Sequence, residues 1–396
     1  MIARLWEVLL VALKLGLTSF GGPVAHLGYF RDEYVTKRKW LDDAAYADLV
    51  ALCQLLPGPA SSQVGMAVGM TRAGIGGGVA AWLGFTLPSA ALMIVFGYGV
   101  AAFGDLASEG WLRGLKAVAV AVVALAVYGM AKNLTPDRTR ASLAMLTAVA
   151  MLFWRTPLTQ VLVIAAAGCA GMLLLKDTSP APTEAPPMVR SGAVRAVAAL
   201  AAFFLLLAGL PLASGLAGGE WLRLLDGFYR AGALVFGGGH VVLPLLEAEV
   251  VPAGWVTRDQ FIAGYGLAQA VPGPLFTFSA YLGTVTPGPT GGWRGGLFAL
   301  AAVFLPSFLL LIGILPFWHR LRANHRLRAA ITGINAAVVG LLLAALYDPV
   351  WVSAISRPAD LALALAAFAL LAWWKVPPWL VVIAGAFCGA IFTLAG

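Results

Sequence analysis

Two cations stand alone in apolar runs, and both are placed where they could hold an anion. Lys14 and Arg230 each precede a phenylalanine–glycine cluster by six residues, Phe20-Gly21-Gly22-Pro23 and Phe236-Gly237-Gly238-Gly239. A charge inside an apolar span costs a few kcal/mol or more, so such residues are paired or functional, and two related cations suit a dianion. The bland alternative is snorkelling of a long side chain to the membrane surface. Further on, Gln54-Leu55-Leu56-Pro57-Gly58-Pro59 is echoed by Gln269-Ala270-Val271-Pro272-Gly273-Pro274. Ser61, Ser62, Thr277 and Ser279 follow these turns and carry hydroxyls. Gln54 and Gln269 offer amide donors to an oxyanion or to a broken backbone. His26 and His240 are within reach as donors or proton carriers, against the commoner role of a structural hydrogen bond. Glu33 and Glu249 match across the same offset and read as loop-side acids, with proton coupling as their functional alternative.

These groups need elements that can hold polar backbone inside lipid. The chain has 396 residues, 61% hydrophobic and 11% charged, with mean hydropathy +0.88. Soluble domains carry roughly 25% charged residues, so this is a membrane protein. Apolar stretches long enough to cross, roughly 20 residues each, recur between short polar loops. Neither paired glycines nor Pro-Gly-Pro continues an ordinary helix, so each divides its run into half-helices. Unpaired backbone at membrane depth persists only where protein or a water-filled cavity satisfies it. Half-helices that begin there point their N-terminal amides inward, which favours an anion.

The punctuation repeats at an offset of about 216 residues, and Leu87-Pro88-Ser89 returns as Leu305-Pro306-Ser307. We expect an all-α polytopic membrane protein of two homologous halves, arranged as an inverted-topology repeat with broken or re-entrant helical hairpins. The expected limits are 1–176 for the first repeat and 177–192 for a polar, proline-rich linker, then 193–215 for a connecting transmembrane helix and 216–396 for the second repeat. Inversion follows from loop charge, since Lys and Arg near span ends favour the cytoplasm. Arg31, Lys37, Arg38 and Lys39 face Glu247, Glu249 and Arg258 in the other half, and Asp105 and Glu109 face Arg320, Arg322, Arg326 and Arg328. The unmatched span at 193–215 would produce this inversion, a hallmark of secondary transporters. Trp6, Trp40, Trp221, Trp293 and Trp318 are placed near span ends as an interfacial belt.

Other functions find less support. Cys53, Cys169 and Cys388 lie in apolar segments at unrelated spacings, so neither disulfides nor zinc are indicated. No P-loop, nucleophile–base pair or cofactor motif is present, so no enzyme, no cofactor and no direct ATP drive are expected. The net charge of +8 sits at loop edges and signals topology rather than nucleic acid. The first twenty residues lack the features of a cleaved signal peptide. Channels for fluoride or chloride also use helix termini, so carrier and channel both stay open. A cation or amino-acid carrier would favour acids within its spans, and these are scarce.

The residues resemble the chromate transporter family. The resemblance is carried by Phe20-Gly21-Gly22-Pro23 with His26, Cys53-Gln54-Leu55-Leu56-Pro57-Gly58-Pro59, Phe236-Gly237-Gly238-Gly239-His240-Val241-Val242-Leu243-Pro244 and Gln269-Ala270-Val271-Pro272-Gly273-Pro274. It implies a long-chain, two-domain exporter of chromate across the bacterial inner membrane that confers resistance, with sulfate as competitor. Its partners would be chromate, sulfate and the lipid bilayer, and a homodimer is compatible with it.

Overall fold

The computed structural model describes residues 2–20, 22–102, 110–154, 156–175, 192–236, 239–318 and 324–394. Gly21, Asp105, Glu109, the linker at 177–191, Gly237, Gly238, Arg320 and Arg322 lie outside them. The described residues form helices joined by short turns and contain no strand. The first half holds α1 (Ile2–Thr18), α2 (Gly22–Arg31), α3 (Asp43–Leu55), α4 (Ala60–Ala102), α5 (Trp111–Leu134), α6 (Arg138–Phe153) and α7 (Pro157–Leu174). After α8 (Ala193–Ala217) the order recurs as α9 (Glu220–Leu234), α10 (Val242–Val250), α11 (Arg258–Ala268), α12 (Phe278–Val285), α13 (Gly292–Ile314), α14 (His325–Ala345), α15 (Pro358–Ala372) and α16 (Pro378–Leu394). Among the described residues five stretches are long and apolar enough to cross a bilayer: Ala60–Val100, Trp111–Leu134, Ala193–Ala217, Gly292–Phe317 and His325–Ala354.

Helix α4 is a hairpin rather than one rod. Ala73 (φ −145°) and Gly74 (φ +66°) break it into arms 60–73 and 74–102. A side chain on Gly69 would meet the Gly77 carbonyl at 2.3 Å, so the arms fold back in backbone contact. The second half makes the same hairpin from α12 and α13, where Gly283 lies against the Gly295 carbonyl. In membranes helices associate through small residues, because lipid removes the hydrophobic drive between them. The same device seats α1 on α4, with Gly16 against the Phe85 carbonyl, and α9 on α13, with Gly232 against the Val303 carbonyl.

The C-terminal helices are exchanged between the halves. Helix α5 packs against α15 and α16, and α14 packs against α6 and α7. Gly114 sits on the Gly385 carbonyl, and Gly171 on Gly333, so each exchange closes on a glycine pair. Helix α8 has no counterpart among the described helices of the first half. It rests on α9 and α13 through Leu200 and Ala196 at Gly313, while Val194, Leu205, Leu212 and Leu216 stay exposed on its outer face. Among the tryptophans, Trp6, Trp221 and Trp293 are exposed, as a belt requires. Trp318 is buried in the core instead, and Trp40 packs on Tyr34 beneath two guanidinium groups.

Candidate functional site

The interruptions meet in pairs, each pair drawn from both halves. The Gly273 amide donates to the Ser19 carbonyl (2.9 Å), and the Gly58 amide donates to the Val235 carbonyl (2.6 Å). Thus each Pro-Gly-Pro turn satisfies the carbonyl released by the glycine break of the other half. Such pairing answers the backbone debt that a broken helix incurs in lipid. Both central glycines require their lack of a side chain. Gly58 (φ +122°) would place a Cβ 2.4 Å from Ser307 Oγ, and Gly273 (φ +96°) would place one 2.8 Å from Ser89 Oγ. The Leu-Pro-Ser repeat therefore backs the opposite half's turn in both cases.

Around the first junction lie Gly22, Pro23, His240, Gln269 and Gly273, lining one narrow cleft. Its space for water centres is ≈ 20 Å³, about enough for one water. Close in sequence to lining residues, Phe20 packs against Trp379, with ring centroids 5.9 Å apart. His26 is buried edge-on to Phe85, shares a 3.3 Å contact with Ser61 Oγ, and has the Ser19 backbone beside its ring. His240 Nδ1 lies 2.6 Å from the Tyr265 hydroxyl. Several buried polar atoms around this junction have no partner: Ser19 Oγ, His26 Nε2, Thr86 Oγ1 and Gln269 Nε2; Ser62 Oγ, beside Gln63 in α4, has none either. Unpaired buried polar groups are costly, and groups of them mark a place where a ligand or water completes the bonding.

At the second junction the amide of Gln63 donates to the Pro57 carbonyl (2.7 Å) and to Ser307 Oγ (3.2 Å), and its backbone N–H reaches the Pro59 carbonyl. Sequence reasoning passed over Gln63 in favour of Gln54. The available signal was an isolated amide in the first turn of an apolar helix. Gln54 instead is exposed and lines a separate cleft with Leu27, Arg31, Asp43 and Tyr46. Thr277 and Ser279 also depart from the expectation, because their hydroxyls donate to the Pro274 and Phe276 carbonyls of their own turn. Gly239 opens a short 3₁₀ turn that leads into α10, and Pro272 and Pro274 frame the second turn.

The two cations are both ion-paired, and with the two matched acids. Lys14 Nζ is 2.8 Å from Glu33, and Arg230 is 2.9 Å from Glu249. Each cation expected to serve an anion thus already faces a carboxylate. Glu33 also accepts from Arg38 (2.9 Å), whereas Arg230 also reaches Asp226 (3.1 Å), which itself accepts from Ser214 of α8. Burial favours the neutral form of Glu33, but Lys14 and Arg38 outweigh it and hold the carboxyl below the ordinary carboxylate range. Glu249 lies in the last turn of α10, outside the five long spans. Burial pushes it up to about 7, which Arg230 only partly offsets and Asp226 reinforces.

Comparison with known proteins gives a consistent picture. A family profile described as "Chromate transporter" matches residues 6–172 and 222–390. A "Chromate transport protein" of Pseudomonas aeruginosa is 32% identical over 375 residues, 92% of this chain and 86% of that protein. A "Chromate transport protein" of Cupriavidus metallidurans is 29% identical over 389 residues, covering 96% and 91%. No solved structure matches. Among the described residues no group of three or more His, Cys, Asp or Glu is arranged to hold a metal ion.

Proposed function

The chain belongs to the chromate transporter family, and from that premise we propose that it exports chromate from the bacterial cytoplasm across the inner membrane by alternating access. Transport of chromate across a membrane is what the family supports. Direction, mechanism and the resistance that export would confer are our own reading. The observation that carries the mechanism is the reciprocal hydrogen bonding of the breaks, Gly273 to Ser19 and Gly58 to Val235. Motion of one half against the other must remake both bonds, so these turns would be the gate.

The binding position in this reading is the first junction, where Ser19, His26 and Gln269 present unpartnered polar atoms. With room for about one water, the cleft would be in a closed state that opens to admit a tetrahedral dianion. Depth is consistent with this. Trp6 is exposed and marks the surface, and Ser19 lies thirteen residues further on, directly after α1. At about 1.5 Å per residue that is roughly 20 Å, against a hydrocarbon core of about 30 Å. Inverted halves would follow from the single unmatched helix α8. The membrane potential, negative inside, favours outward movement of a dianion by about 4.6 kcal/mol per 100 mV. Sulfate, of the same shape and charge, would compete. Proton coupling would run through Glu249 rather than Glu33, because Glu249 alone of the two titrates near neutrality.

The test is chromate uptake into inverted vesicles, with Ser19→Ala, His26→Gln and Gln269→Leu beside the wild-type chain. Each is expected to lower chromate affinity and sulfate competition together. Unchanged competition in all three variants would remove the first junction as the binding position. A channel would instead give flux without counterflow exchange.

A further inference from the structure

The first half carries a second basic site that neither the junctions nor the repeat symmetry requires. Between the start of α1, the turn after α2 and the tip of the α4 hairpin lies an open cavity of ≈ 560 Å³ lined by Glu7, Glu33, Lys37, Arg38, Lys39, Trp40 and Arg72. Arg38 and Arg72 bracket the Trp40 ring, at 5.6 and 5.3 Å from its centroid. Glu7 holds both guanidinium groups, Arg72 at 3.0 Å and Arg38 at 3.6 Å. Arg72 Nε is buried and unpartnered. Lys39 adopts φ +52°, a left-handed backbone unusual for lysine, fixed between hydrogen bonds of Arg38 N to Glu33 O and Trp40 N to Tyr34 O. Strain of this kind persists where the surroundings over-determine it, and it is common at ligand-binding positions.

Charge selects the ligand. Four cations line the cavity against two acids, and Lys37 is met by Asp32 outside the lining, so a positive surplus stays with Arg38, Lys39 and Arg72. The second half does not repeat it, since at the 215-residue offset that matches Trp40 to Trp255, Ala253, Gly254 and Pro287 stand where the first half has Arg38, Lys39 and Arg72. We propose that this vestibule is a capture site for a dianionic tetrahedral oxyanion, which Arg38, Lys39 and Arg72 draw in before it moves along α1 toward Ser19. Guanidinium groups fit such an ion bidentately, and a cleft of one sign raises the local anion concentration. The proposal rests on the oxyanion-transport reading, but binding can be measured without transport. A phosphomonoester lipid head shares this chemistry and is separated from the free ion below.

The experiment uses the full chain in nanodiscs of zwitterionic lipid, titrated with inorganic sulfate, and in vesicles for chromate transport. Arg72→Gln removes one arm of the bracket. Lys39→Asn removes charge while tolerating the left-handed backbone, so it keeps the fold. A unit charge acting on a dianion from about 7 Å in water changes affinity by roughly five- to tenfold. Each variant should therefore weaken sulfate binding and raise the transport KM by about that factor at low salt, with maximal rate unchanged and the salt dependence flattened. Arg72→Lys should restore most of the affinity. Loss of the sulfate signal on adding phosphatidate to the discs assigns the site to a lipid head, and its persistence to the free ion. Equal sulfate affinity and equal KM in wild type and both charge-removing variants overturns the vestibule. Wild-type vesicles that move no oxyanion overturn the transport reading instead, leaving the binding titration to decide the vestibule.

Discussion

The Lys14–Glu33 and Arg230–Glu249 pairs occupy equivalent places in the two halves, with the same nineteen-residue spacing, yet they are different electrostatic objects. In the first, one carboxylate is shared by two cations and the Lys14 side chain is 54% exposed. In the second, one cation is shared by two carboxylates and the Arg230 side chain is 23% exposed. Position 10 explains the change, because Leu10 of α1 stands where α9 has Asp226. Duplication preserved the geometry while single substitutions made one copy a fixed positive vestibule and the other a site able to change its charge. Fold symmetry and functional symmetry are thus separable within one chain.

Breaking the shared framework should have the largest effect and should treat both halves alike. Gly58→Ala and Gly273→Ala each force a Cβ into the opposite half's serine and an L residue into positive φ, worth about 1–3 kcal/mol for the backbone alone. Both are expected to abolish transport and lower the melting temperature, measured by thermal unfolding in detergent. If one were tolerated, the two junctions would not be equivalent. Next, Glu249→Gln should destabilise by about 2 kcal/mol, since a charged hydrogen bond is lost from a mostly buried arginine. Glu33→Gln should cost about 1 kcal/mol or less, because Lys14 can reach water. Equal losses would mean that exposure does not separate the pairs.

The pH response sharpens the contrast further. Below about 7 the Glu249 carboxyl takes up a proton, so Arg230 loses one of its two negative neighbours. Sulfate affinity should therefore rise as pH falls through about 7, and Glu249→Gln should flatten that profile. Sulfate is the probe because it stays a dianion throughout. Glu33 is ionised across the same window, so Glu33→Gln should leave the profile's shape intact. The smallest effect is expected from Asp226→Leu, which gives the second half the residue of the first. Removing that neighbouring negative charge should shift the midpoint to lower pH by a fraction of a unit, with burial still dominant.

Much of this was legible in the residues. Repeated Gly-Gly and Pro-Gly-Pro punctuation is local and easily read, and Gly22, Gly58 and Gly273 each take a positive φ that favours glycine. The cations stood out by their cost in an apolar run. Their carboxylate partners were visible at the matching offset, but nineteen residues of sequence separation gave no sign that the helices would turn back to pair them. The bonds from Gly58 to Val235 and from Gly273 to Ser19 were beyond reach for the same reason, since nothing local encodes a partner in the other half. The α4 hairpin was hidden because its turn at Ala73–Gly74 carries no proline and little polarity, although Gly74, Gly76, Gly77 and Gly78 mark it in retrospect. Trp40 was read as a membrane marker because stacking under arginines leaves no trace in spacing.

The exchange of α5 for α14 between the helical pairs α15–α16 and α6–α7 makes the molecule a dovetail. Neither half can close the seams at Gly114 and Gly171 by itself, so a single repeat leaves its last three helices without their partners and needs a second copy to complete them. An ancestor of one repeat would have worked as a pair before gene fusion made the pairing intramolecular. Cutting the chain between α7 and α8 and co-producing the pieces should accordingly yield a stable complex, whereas either piece alone should be degraded.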